Sequence, residues 1–353
     1  VSKKGIDYAK ETGVTLIIIL DCGIKAVDEI AYAKSLGIDF IICDHHVPDE
    51  QLPPALAILD AKRHDNTYPY TDLSGCGVGF KFMQAFAMNN GIEFHALTSL
   101  MDLTAVSIAS DIVPIMGENR ILAYYGMKQL NSNPSIGLKA IIDVCGLSEK
   151  ELTMSDIMFK IGPRINASGR IQNGKEAVDL LVEKDFVKAR NLAARINEYN
   201  EQRKDLDKSM TEEATNQAEE LQKSGVQNSI VLYNKNWHRG VIGIVASRLS
   251  EQFYCPAVVL TDANGLVSGS ARSVIGFDVY KAIESCRDVL ENFGGHTYAA
   301  GLSLKEENIP VFKQRFEDYV NNHFNEEECN PSINIDAEIK FSDINQKFYH
   351  DLK

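Results

Sequence analysis

Short apolar runs alternate with a segment of helical spacing near the start of the chain. Residues 14–20 and Asp39–Cys43 are mostly apolar and are predicted to be strands, with a helix over residues 24–36 between them. Residues 55–59 form a possible third strand. Strands that are apolar along their whole length and alternate with helices are typical of a parallel sheet covered on both faces. The pattern therefore predicts an α/β domain.

The rest of the chain divides into further segments. From residue 77 to about residue 185 the pattern is mostly helical, and Phe186–Lys223 is a long charged segment without Pro or Gly, predicted to be a connecting helix that ends at Gly225. A second α/β unit follows, with strands predicted over residues 229–233, 257–261 and 266–271 and helices over 240–252 and 309–324. After the acidic run 326–328, the alternating stretch SINIDAEIKF predicts the first strand of a third domain.

The composition limits the class of protein. No apolar stretch reaches membrane-spanning length, and we expect no signal peptide. The seven cysteines are scattered without a CxxC pair, which favours a cytoplasmic protein over a disulfide framework or a zinc site. The net charge of −13 argues against a broad basic surface for nucleic acid. It allows a narrow local groove, and a carboxylate-rich metal site would itself add negative charge.

Acidic residues and histidines follow the first two predicted strands. Asp21 comes directly after LIIIL, and Asp44, His45 and His46 come directly after FIIC. Ligands of an open parallel sheet bind outside the carboxyl ends of its strands. A right-handed crossover makes the two strands neighbours or near neighbours, so we expect these side chains to face one crevice. Asp111, at the end of the apolar stretch AVSIAS, is a third candidate element.

The chemistry of this set favours a hard divalent cation. Carboxylates with one or two imidazoles suit Mn²⁺ or Mg²⁺ better than a closed thiolate zinc site does. Two such ions can activate a water and stabilise the leaving oxygen in a phosphodiester displacement. A lone Asp after a strand is usually a turn or helix cap, so Asp21 alone is a weak signal. The DHH triplet is more specific.

Later stretches of the chain offer donors for phosphate oxygens. KIGPRINASGR predicts a Gly-containing loop with two arginines, although a surface loop held by salt bridges would have the same composition. VSGSARS and NFGGHTYAAG add hydroxyl, guanidinium and imidazole groups beside small residues that let an anion approach backbone N–H groups. The candidate phosphate-binding residues are Arg164, Asn166, Arg170, Ser270, Arg272, Gly295 and His296.

Taken in order, these stretches resemble the DHH–DHHA1 phosphoesterases, and among them most closely the exonucleases of single-stranded DNA. The matching stretches cover nearly the whole chain: LIIILDCG, CDHHVPDEQLPPALAILDAKR, SIASDIVP, PRINASGR, WHRGVIGIVASR, GSARS and GGHTYAAG. DHH alone indicates the superfamily, whereas PRINASGR and HRGVIGIVASR point to the exonuclease group. The resemblance implies two α/β domains joined by a long helix, with a cleft between them. The implied division is a DHH domain (1–185), a connecting helix (186–225), a DHHA1 domain (226–328) and the start of an OB-type domain (329–353).

The resemblance also implies roles for individual residues. Asp21, His45 and Asp111 are the expected ligands of Mn²⁺ or Mg²⁺. His46 and Asp44 are expected to be catalytic, His46 by orienting a ligand or contacting phosphate and Asp44 by holding an imidazole or serving as a ligand. The implied activity is processive 5′-to-3′ removal of nucleotides from single-stranded DNA in DNA repair and recombination. A helicase and a single-strand-binding protein are the implied protein partners.

The chain departs from the family pattern at both ends. The first family motif, a strand ending in Asp-x-Asp-x-Asp-Gly, is not found, and SINIDAEIKF matches only the beginning of the family's oligonucleotide-binding barrel. We therefore expect a fragment that binds Mn²⁺ weakly and has little nuclease activity. We also expect an unpaired sheet edge, which promotes self-association.

Two other functions fit the same residues. One is a DHH phosphodiesterase of short oligonucleotides or cyclic dinucleotides, which would need no oligonucleotide-binding barrel. The other is a non-catalytic DHH-fold module that binds nucleic acid or a replication partner, although a module without catalysis has no chemical need for the DHH triplet and Asp111.

Overall fold

The computed structural model describes residues 1–223, 225, 228–263, 265–325, 333 and 335–352. The chain forms two compact units, Val1–Arg203 and Lys204–Lys353. Among the described residues, no helix is both long enough and apolar enough to span a membrane. The α/β class, with a parallel sheet, a second sheet and a long helix between the regions that carry them, confirms the predicted fold class.

The first unit begins with an α/β region and continues as a helical region. The first region has α1 (Lys3–Glu11), β1 (Leu16–Leu20), α2 (Val27–Ser35), β2 (Asp39–Cys43) and β3 (Ala57–Leu59). The second has α3 (Gly75–Asn89), α4 (His95–Thr98), α5 (Met101–Ser110), α6 (Gly117–Ser132), α7 (Ile136–Val144), α8 (Met154–Asp156), a π-helical turn (Ile157–Ile161), α9 (Gly162–Ile171), α10 (Lys175–Val182) and the first part of α11 (Phe186–Lys223).

The sheet of the first unit is parallel throughout, with strand order β1-β2-β3. The middle strand is covered on both faces, because Phe40 and Ile42 pack with α1 and α2 while Cys43 packs with α3 and α5. The strand β1 is different: Leu16, Ile18 and Leu20 are each exposed by more than two fifths. The prediction of a sheet covered on both faces therefore holds for β2 and is wrong for β1.

The second unit contains the end of α11 and a mixed five-stranded sheet. Its elements are β4 (Ile230–Tyr233), α12 (Ile242–Phe253), β5 (Ala257–Ala263), β6 (Leu266–Arg272), α13 (Val279–Glu284), β7 (Leu290–His296), β8 (Ala299–Leu304), α14 (Ile309–His323) and α15 (Gln346–Leu352). The strand order is β4-β5-β6-β8-β7, with β4 and β5 parallel and the other pairs antiparallel. One face packs on α11 and α12, and the other packs on α13 and α14.

Three sequence interpretations need correction. KIGPRINASGR is helical rather than a loop, since a π-helical turn leads directly into α9. A proline near the start of a helix is tolerated because its missing N–H would have no partner there. The hairpin β7–β8 was not predicted as strands, because three of its residues are glycines that weaken any strand pattern. The predicted strand over 332–341 includes residues 332 and 334, outside the described part, and residues 335–340 form no strand.

The acidic run 326–328 also lies outside the described residues. The predicted domain boundaries stay a prediction. The described helix α11 occupies Phe186–Lys223, as its lack of proline and glycine indicated, and the division of the chain into two compact units falls after Arg203, within this helix.

Candidate functional site

The three strands of the first sheet end in register, and each is followed by an aspartate. Leu20 pairs with Cys43, and Cys43 pairs with Leu59. The next residues are therefore Asp21, Asp44 and Asp60 along one edge. The strand ladder continues for one more step, since Asp21 N–H donates to Cys43 O (2.8 Å) and Asp44 N–H donates to Leu59 O (3.0 Å). The sheet itself thus fixes the positions from which these carboxylates project.

Asp44 is buried, and both of its oxygens accept hydrogen bonds. Its Oδ2 accepts from Ile24 N–H (2.9 Å), and its Oδ1 accepts from the N–H groups of His45 (2.8 Å) and His46 (3.2 Å) and from His46 Nδ1 (2.7 Å). Burial by itself raises the pKa of Asp44, but these hydrogen bonds outweigh it and lower the pKa below its usual value. The carboxylate therefore holds the turn after β2 and orients the His46 ring.

His45 joins two carboxylates that come from different elements. Its Nε2 lies 3.1 Å from Asp21 Oδ1 and 3.3 Å from Asp111 Oδ2. Its Nδ1 lies 3.0 Å from Leu73 O, and because a carbonyl only accepts, Nδ1 carries a proton. Nε2 then either also carries a proton, so that the ring is a cation that donates to the carboxylates, or carries none and can bind a metal ion. The hydrogen bond with Asp21 raises the pKa of His45 and Asp111 adds to this, while burial opposes it.

The site is built on strained backbone. Asp21 has φ 62°, and Ile112, directly after Asp111, has φ 54°. A β-branched residue rarely adopts the left-handed region, and such strain concentrates at functional sites. Gly75, at the start of α3, is also required here, because a Cβ at this position would lie 2.1 Å from Asp21 Oδ1. The left-handed backbone at Asp21 and Ile112 costs local stability, and the missing side chain of Gly75 leaves room for the Asp21 carboxylate.

The donor set fits a divalent cation. Asp21, His45 and His46 each offer a ligand atom, and these atoms lie within 4.8 Å of one another. The side chains of Asp21, His46 and Asp111 are 60%, 58% and 44% exposed, whereas that of His45 is 10% exposed. Carboxylate oxygens and imidazole nitrogens open to solvent on one side match the preferences of Mn²⁺ and Mg²⁺. We call these four residues the carboxylate–imidazole cluster.

Asp60 was missed by the sequence analysis, although a signal was present. AILD repeats the pattern of an apolar strand followed by Asp that LIIILD and FIICD show. Its Oδ1 accepts from Lys62 N–H (2.8 Å), and its buried Oδ2 has no hydrogen-bond partner among the described residues. Burial raises the pKa of Asp60, and the nearby charge of Asp44 adds to the effect. Asp60 also lines a cavity of about 220 Å³ together with Leu73, whose carbonyl contacts His45.

The predicted phosphate contacts on α9 do not lie on one face. Residues on a helix are about 100° apart, so Asn166 and Arg170, four positions apart, share a face while Arg164 points to the other side. Arg164 donates to Asn197 Oδ1 (2.8 Å) and Lys160 O (2.8 Å), and so ties α9 to α11. Asn166 and Arg170 are exposed. The structure therefore separates Arg164 from the other two candidates.

The predicted contacts of the second unit lie on adjacent strands. Arg272 pairs with Ala299 across β6 and β8, and Ala299 pairs with His296 across β8 and β7. Directly paired residues of an antiparallel sheet point to the same face, so Arg272 and His296 share one face. Arg272 Nη1 donates to Ser270 Oγ (3.0 Å). We call Ser270, Arg272 and His296 the arginine–histidine row.

Glycines leave this face of the sheet open. Ser270 pairs with Gly301, which pairs with Gly294, so across β6, β8 and β7 this row carries a single side chain. Gly243, at the start of α12, approaches the row closely: a Cβ there would lie 3.1 Å from both Arg272 Nη2 and Ser270 Oγ. A guanidinium, a hydroxyl and a helix N-terminus that converge in this way are suited to an anion. Gly295 has φ 155°, and a Cβ there would lie 2.3 Å from Ala299 O.

Comparison with known proteins agrees with this geometry. Residues 2–108 match the DHH family, N-terminal domain, and residues 226–322 match the DHHA1 domain. The chain is 40% identical over 337 residues to the single-stranded-DNA-specific exonuclease RecJ of Bacillus subtilis, covering 95% of this chain and 42% of that protein. It is 36% identical over 336 residues to RecJ of Salmonella typhimurium, covering 90% of this chain and 58% of that protein.

A solved structure gives the same result. The crystal structure of RecJ in complex with Mn²⁺ from Thermus thermophilus matches with a TM-score of 0.80 at 30% identity, over 91% of this chain and 47% of that chain. The chain thus spans about half the length of the curated relatives that it matches. Both domain matches and the similarity over most of the chain lead to one assignment. The chain belongs to the DHH–DHHA1 family and is homologous to RecJ.

Proposed function

We propose that this chain provides the metal-dependent phosphodiesterase core of a 5′-to-3′ exonuclease of single-stranded DNA that acts in DNA repair and recombination. The observation that carries the proposal is the convergence of His45 Nε2 with Asp21 and Asp111 at 3.1 and 3.3 Å. Three ionisable groups from β1, β2 and α5 meet at one point, as a metal ligand set requires. The names of the relatives supply the substrate class.

We propose that Mn²⁺ or Mg²⁺ is held by Asp21, His45 and Asp111. The bound ion would supply charge stabilisation and a nucleophilic water. Leu73 O holds the His45 ring so that Nε2 faces the two carboxylates. Asp44 holds His46 through Nδ1, which leaves the other ring nitrogen of His46 to contact the metal or a phosphate oxygen.

We propose that the arginine–histidine row binds a phosphate of the DNA strand. Ser270 and Arg272 provide neutral and charged donors, and Gly294 and Gly301 leave space for the oxygens on this face. Gly295, one position before His296, acts through the close approach of its backbone to β8. Asn166 and Arg170 form a second phosphate contact on the exposed face of α9, as the family resemblance implies. Arg164, which contacts Asn197 and Lys160, acts by fixing α9 in place.

The experiment that tests the function is end-labelled degradation. The chain is incubated with Mn²⁺ and a long single-stranded DNA labelled at the 5′ or the 3′ end. Early release of mononucleotide from the 5′ label alone, with duplex DNA left intact, supports the proposal. Turnover restricted to dinucleotides or cyclic dinucleotides would instead support the short-substrate alternative. Retained DNA binding without turnover would support the non-catalytic alternative if a protein that also carries the Asp-x-Asp-x-Asp-Gly motif ahead of this chain is equally inactive.

The cellular setting is part of the same proposal. We place the protein in the cytoplasm and expect a helicase and a single-strand-binding protein as partners, since the resemblance to the exonuclease group implies both. Pull-down of the chain with purified single-strand-binding protein, in the absence of DNA, is a direct check.

A further inference from the structure

The helix α6 carries large apolar and aromatic residues on the side that is exposed to solvent. Ile121, Tyr124 and Tyr125 are 57%, 54% and 51% exposed. Arg120 and Lys128 are exposed beside them. At about 100° per residue, these five positions fall within one arc of roughly 140°, with Lys128 near its centre. The opposite side of the helix carries the buried residues, which pack on α5 and α3.

The two tyrosines and the lysine already contact one another. Lys128 Nζ lies 4.3 Å from the ring centroid of Tyr124 and 5.9 Å from that of Tyr125. The two rings lie 5.2 Å apart in an edge-to-face arrangement. A cation over aromatic faces holds the rings in place while leaving their outer faces in water. Single exposed aromatic residues are ordinary on a protein surface, whereas two exposed tyrosines arranged around a lysine indicate an interaction site.

The charge around this face is positive in a chain whose net charge is −13. The sequence of α6 contains one acid, Glu118, which lies at the edge of this face two turns before Tyr125, is 31% exposed, and is bonded to Tyr68 and Lys81. The only acid of α5, Asp102, is fully buried, and α3 contains none. The one partly exposed carboxylate of these three helices, all of which are described, is therefore paired with the charge of Lys81. The face suits a polyanion.

The position of the face relates it to the carboxylate–imidazole cluster. A Cβ at Gly126 would lie 2.3 Å from Met101 O and 2.7 Å from Ala105 Cβ, so α6 runs antiparallel to α5 in close contact. Asp111 directly follows the far end of α5. Tyr124 and Tyr125 therefore lie roughly 10 Å from Asp111 along the helix axis. A chain that leaves the cluster in this direction meets the two rings within a few nucleotides.

We propose that Arg120, Tyr124, Tyr125 and Lys128, which we call the tyrosine face, form a stacking platform for single-stranded nucleic acid. The bases stack on the outer faces of the two rings, and Arg120 and Lys128 contact the phosphates. The platform binds without reading sequence, because every base has an aromatic face. The inference extends the proposed function, because it gives the substrate strand a second point of attachment outside the catalytic cluster.

The first test measures binding of a labelled oligothymidylate of about thirty nucleotides, a length that exceeds the usual site size. The double variant Tyr124→Ala/Tyr125→Ala should bind it about tenfold more weakly than the unchanged chain in fluorescence anisotropy. Tyr8→Ala is the matched control, because Tyr8 is also an exposed helical tyrosine (68%) and lies on α1. Equal affinity of the double variant and the Tyr8 control would overturn the proposal.

The second test uses salt. Each phosphate contact of a single strand contributes about −0.7 to the slope of log affinity against log salt concentration. Lys128→Gln should make the slope less steep by roughly this amount, and Lys128→Arg should restore it. An unchanged slope for Lys128→Gln would overturn the role of the lysine. Restoration of the slope by Lys128→Arg would show that the effect of Lys128→Gln comes from the lost charge and not from a loss of folding.

A third comparison separates this inference from the proposed function. Hydrolysis of a dinucleotide should be the same in the unchanged chain and the double variant, since so short a substrate held at the cluster does not reach the tyrosine face. If no substrate is hydrolysed but the tenfold difference in binding remains, the proposed function fails and the platform stands. If hydrolysis occurs and binding is unchanged, the function stands and the platform fails. A light-scattering mass that falls in the double variant with unchanged DNA binding would assign the face to contact between copies and overturn the proposal.

Discussion

The carboxylate–imidazole cluster and the arginine–histidine row place polar groups on a sheet in two different ways. In the first unit the strands are parallel, and the functional residues lie just beyond their carboxyl ends, where three aspartates follow residues that pair in register. In the second unit the residues lie within strands β6 and β7, on the same face as Gly294 and Gly301, which keep the surface open. A parallel sheet concentrates groups at one edge, whereas an antiparallel sheet aligns them across a face.

The two sets also differ in the charge that they favour. Asp21, Asp111 and His45 offer oxygens and a nitrogen to a cation. Ser270 and Arg272 offer donors to an anion, beside the start of α12. Hydrolysis of a phosphodiester needs both kinds of site, since the metal acts at the reacting phosphorus while the strand is held by its phosphates. Variants of the carboxylate–imidazole cluster should therefore impair metal binding and hydrolysis, whereas variants of the arginine–histidine row should impair DNA binding.

The largest difference is expected from His45→Ala. Loss of an imidazole that faces two carboxylates should lower phosphodiester hydrolysis by more than about a thousandfold, because metal catalysis contributes several kcal/mol. Binding of single-stranded DNA through the second unit should change little. Rates of nucleotide release and anisotropy of labelled DNA measure the two quantities. His95→Ala, on α4, is the matched control. Similar rates in both histidine variants would remove His45 from the catalytic set.

A smaller and more selective effect is expected from Gly75→Ala. The new methyl group would lie 2.1 Å from Asp21 Oδ1 and 2.6 Å from Asp21 Cβ, so the carboxylate and the backbone that carries it must both shift. Displacement of a single ligand should weaken Mn²⁺ binding by about 10- to 100-fold, by analogy with changes in the partners that orient ligands. Calorimetric titration with Mn²⁺ measures this.

The control for Gly75→Ala is Gly5→Ala on α1, where the nearest atom to the new Cβ is Ser2 Oγ at 3.4 Å. Gly5→Ala should unfold at nearly the same temperature as the unchanged chain, whereas Gly75→Ala should unfold at a lower temperature while remaining folded at room temperature, where Mn²⁺ binding is measured. An unchanged Mn²⁺ affinity in Gly75→Ala would show that Asp21 does not bind the metal from its present position.

Arg272→Lys tests the other half of the comparison. Lysine keeps the charge but loses the planar set of donors that contacts Ser270 and can bind a phosphate through two nitrogens. Binding of single-stranded DNA should weaken by about tenfold, which corresponds to the loss of one charge-assisted hydrogen bond. The affinity for Mn²⁺ should stay the same. Loss of metal binding in this variant would contradict the assignment of metal binding to the carboxylate–imidazole cluster and of phosphate binding to the arginine–histidine row.

The sequence predicted the parts of the fold that depend on local pattern. The strands Leu16–Leu20 and Asp39–Cys43 and the helix Phe186–Lys223 follow from apolar runs and from the absence of proline and glycine. Because parallel strands end at one edge, the meeting of Asp21 with His45 also followed from position alone. The roles of these residues as ligands stay predictions.

The parts that the sequence did not predict depend on contacts that are distant along the chain. The hairpin β7–β8 is stabilised by its pairing with β6 rather than by its glycine-rich sequence. Gly75 is needed at the site because Asp21 lies beside it, and Leu73 contributes to the site through its backbone carbonyl, which contacts His45. The helical form of PRINASGR separates Arg164 from Asn166, which a loop interpretation could not reveal.

The smallest effect is expected from Asp156→Asn, which changes a buried carboxylate of the first unit away from the cluster. Burial raises the pKa of Asp156, but hydrogen bonds from Lys150, Lys160 and Thr153 outweigh it and hold the pKa well below its usual value. A lowered folded-state pKa stabilises the fold above the pKa of the unfolded chain, about 3.9, and this contribution disappears as the pH falls below that value.

Asp156→Asn should therefore reduce the free energy of unfolding near pH 7 by about 1 kcal/mol, since both lysines are half exposed and screened by water. The difference from the unchanged chain should shrink as the pH falls below about 4 in urea titrations. Mn²⁺ affinity should not change. A difference in stability that stays constant with pH would mean that the carboxylate acts through packing at the start of the π-helical turn and not through its charge. Altered metal binding would show that this turn transmits strain to Asp111, because α5 contacts it directly.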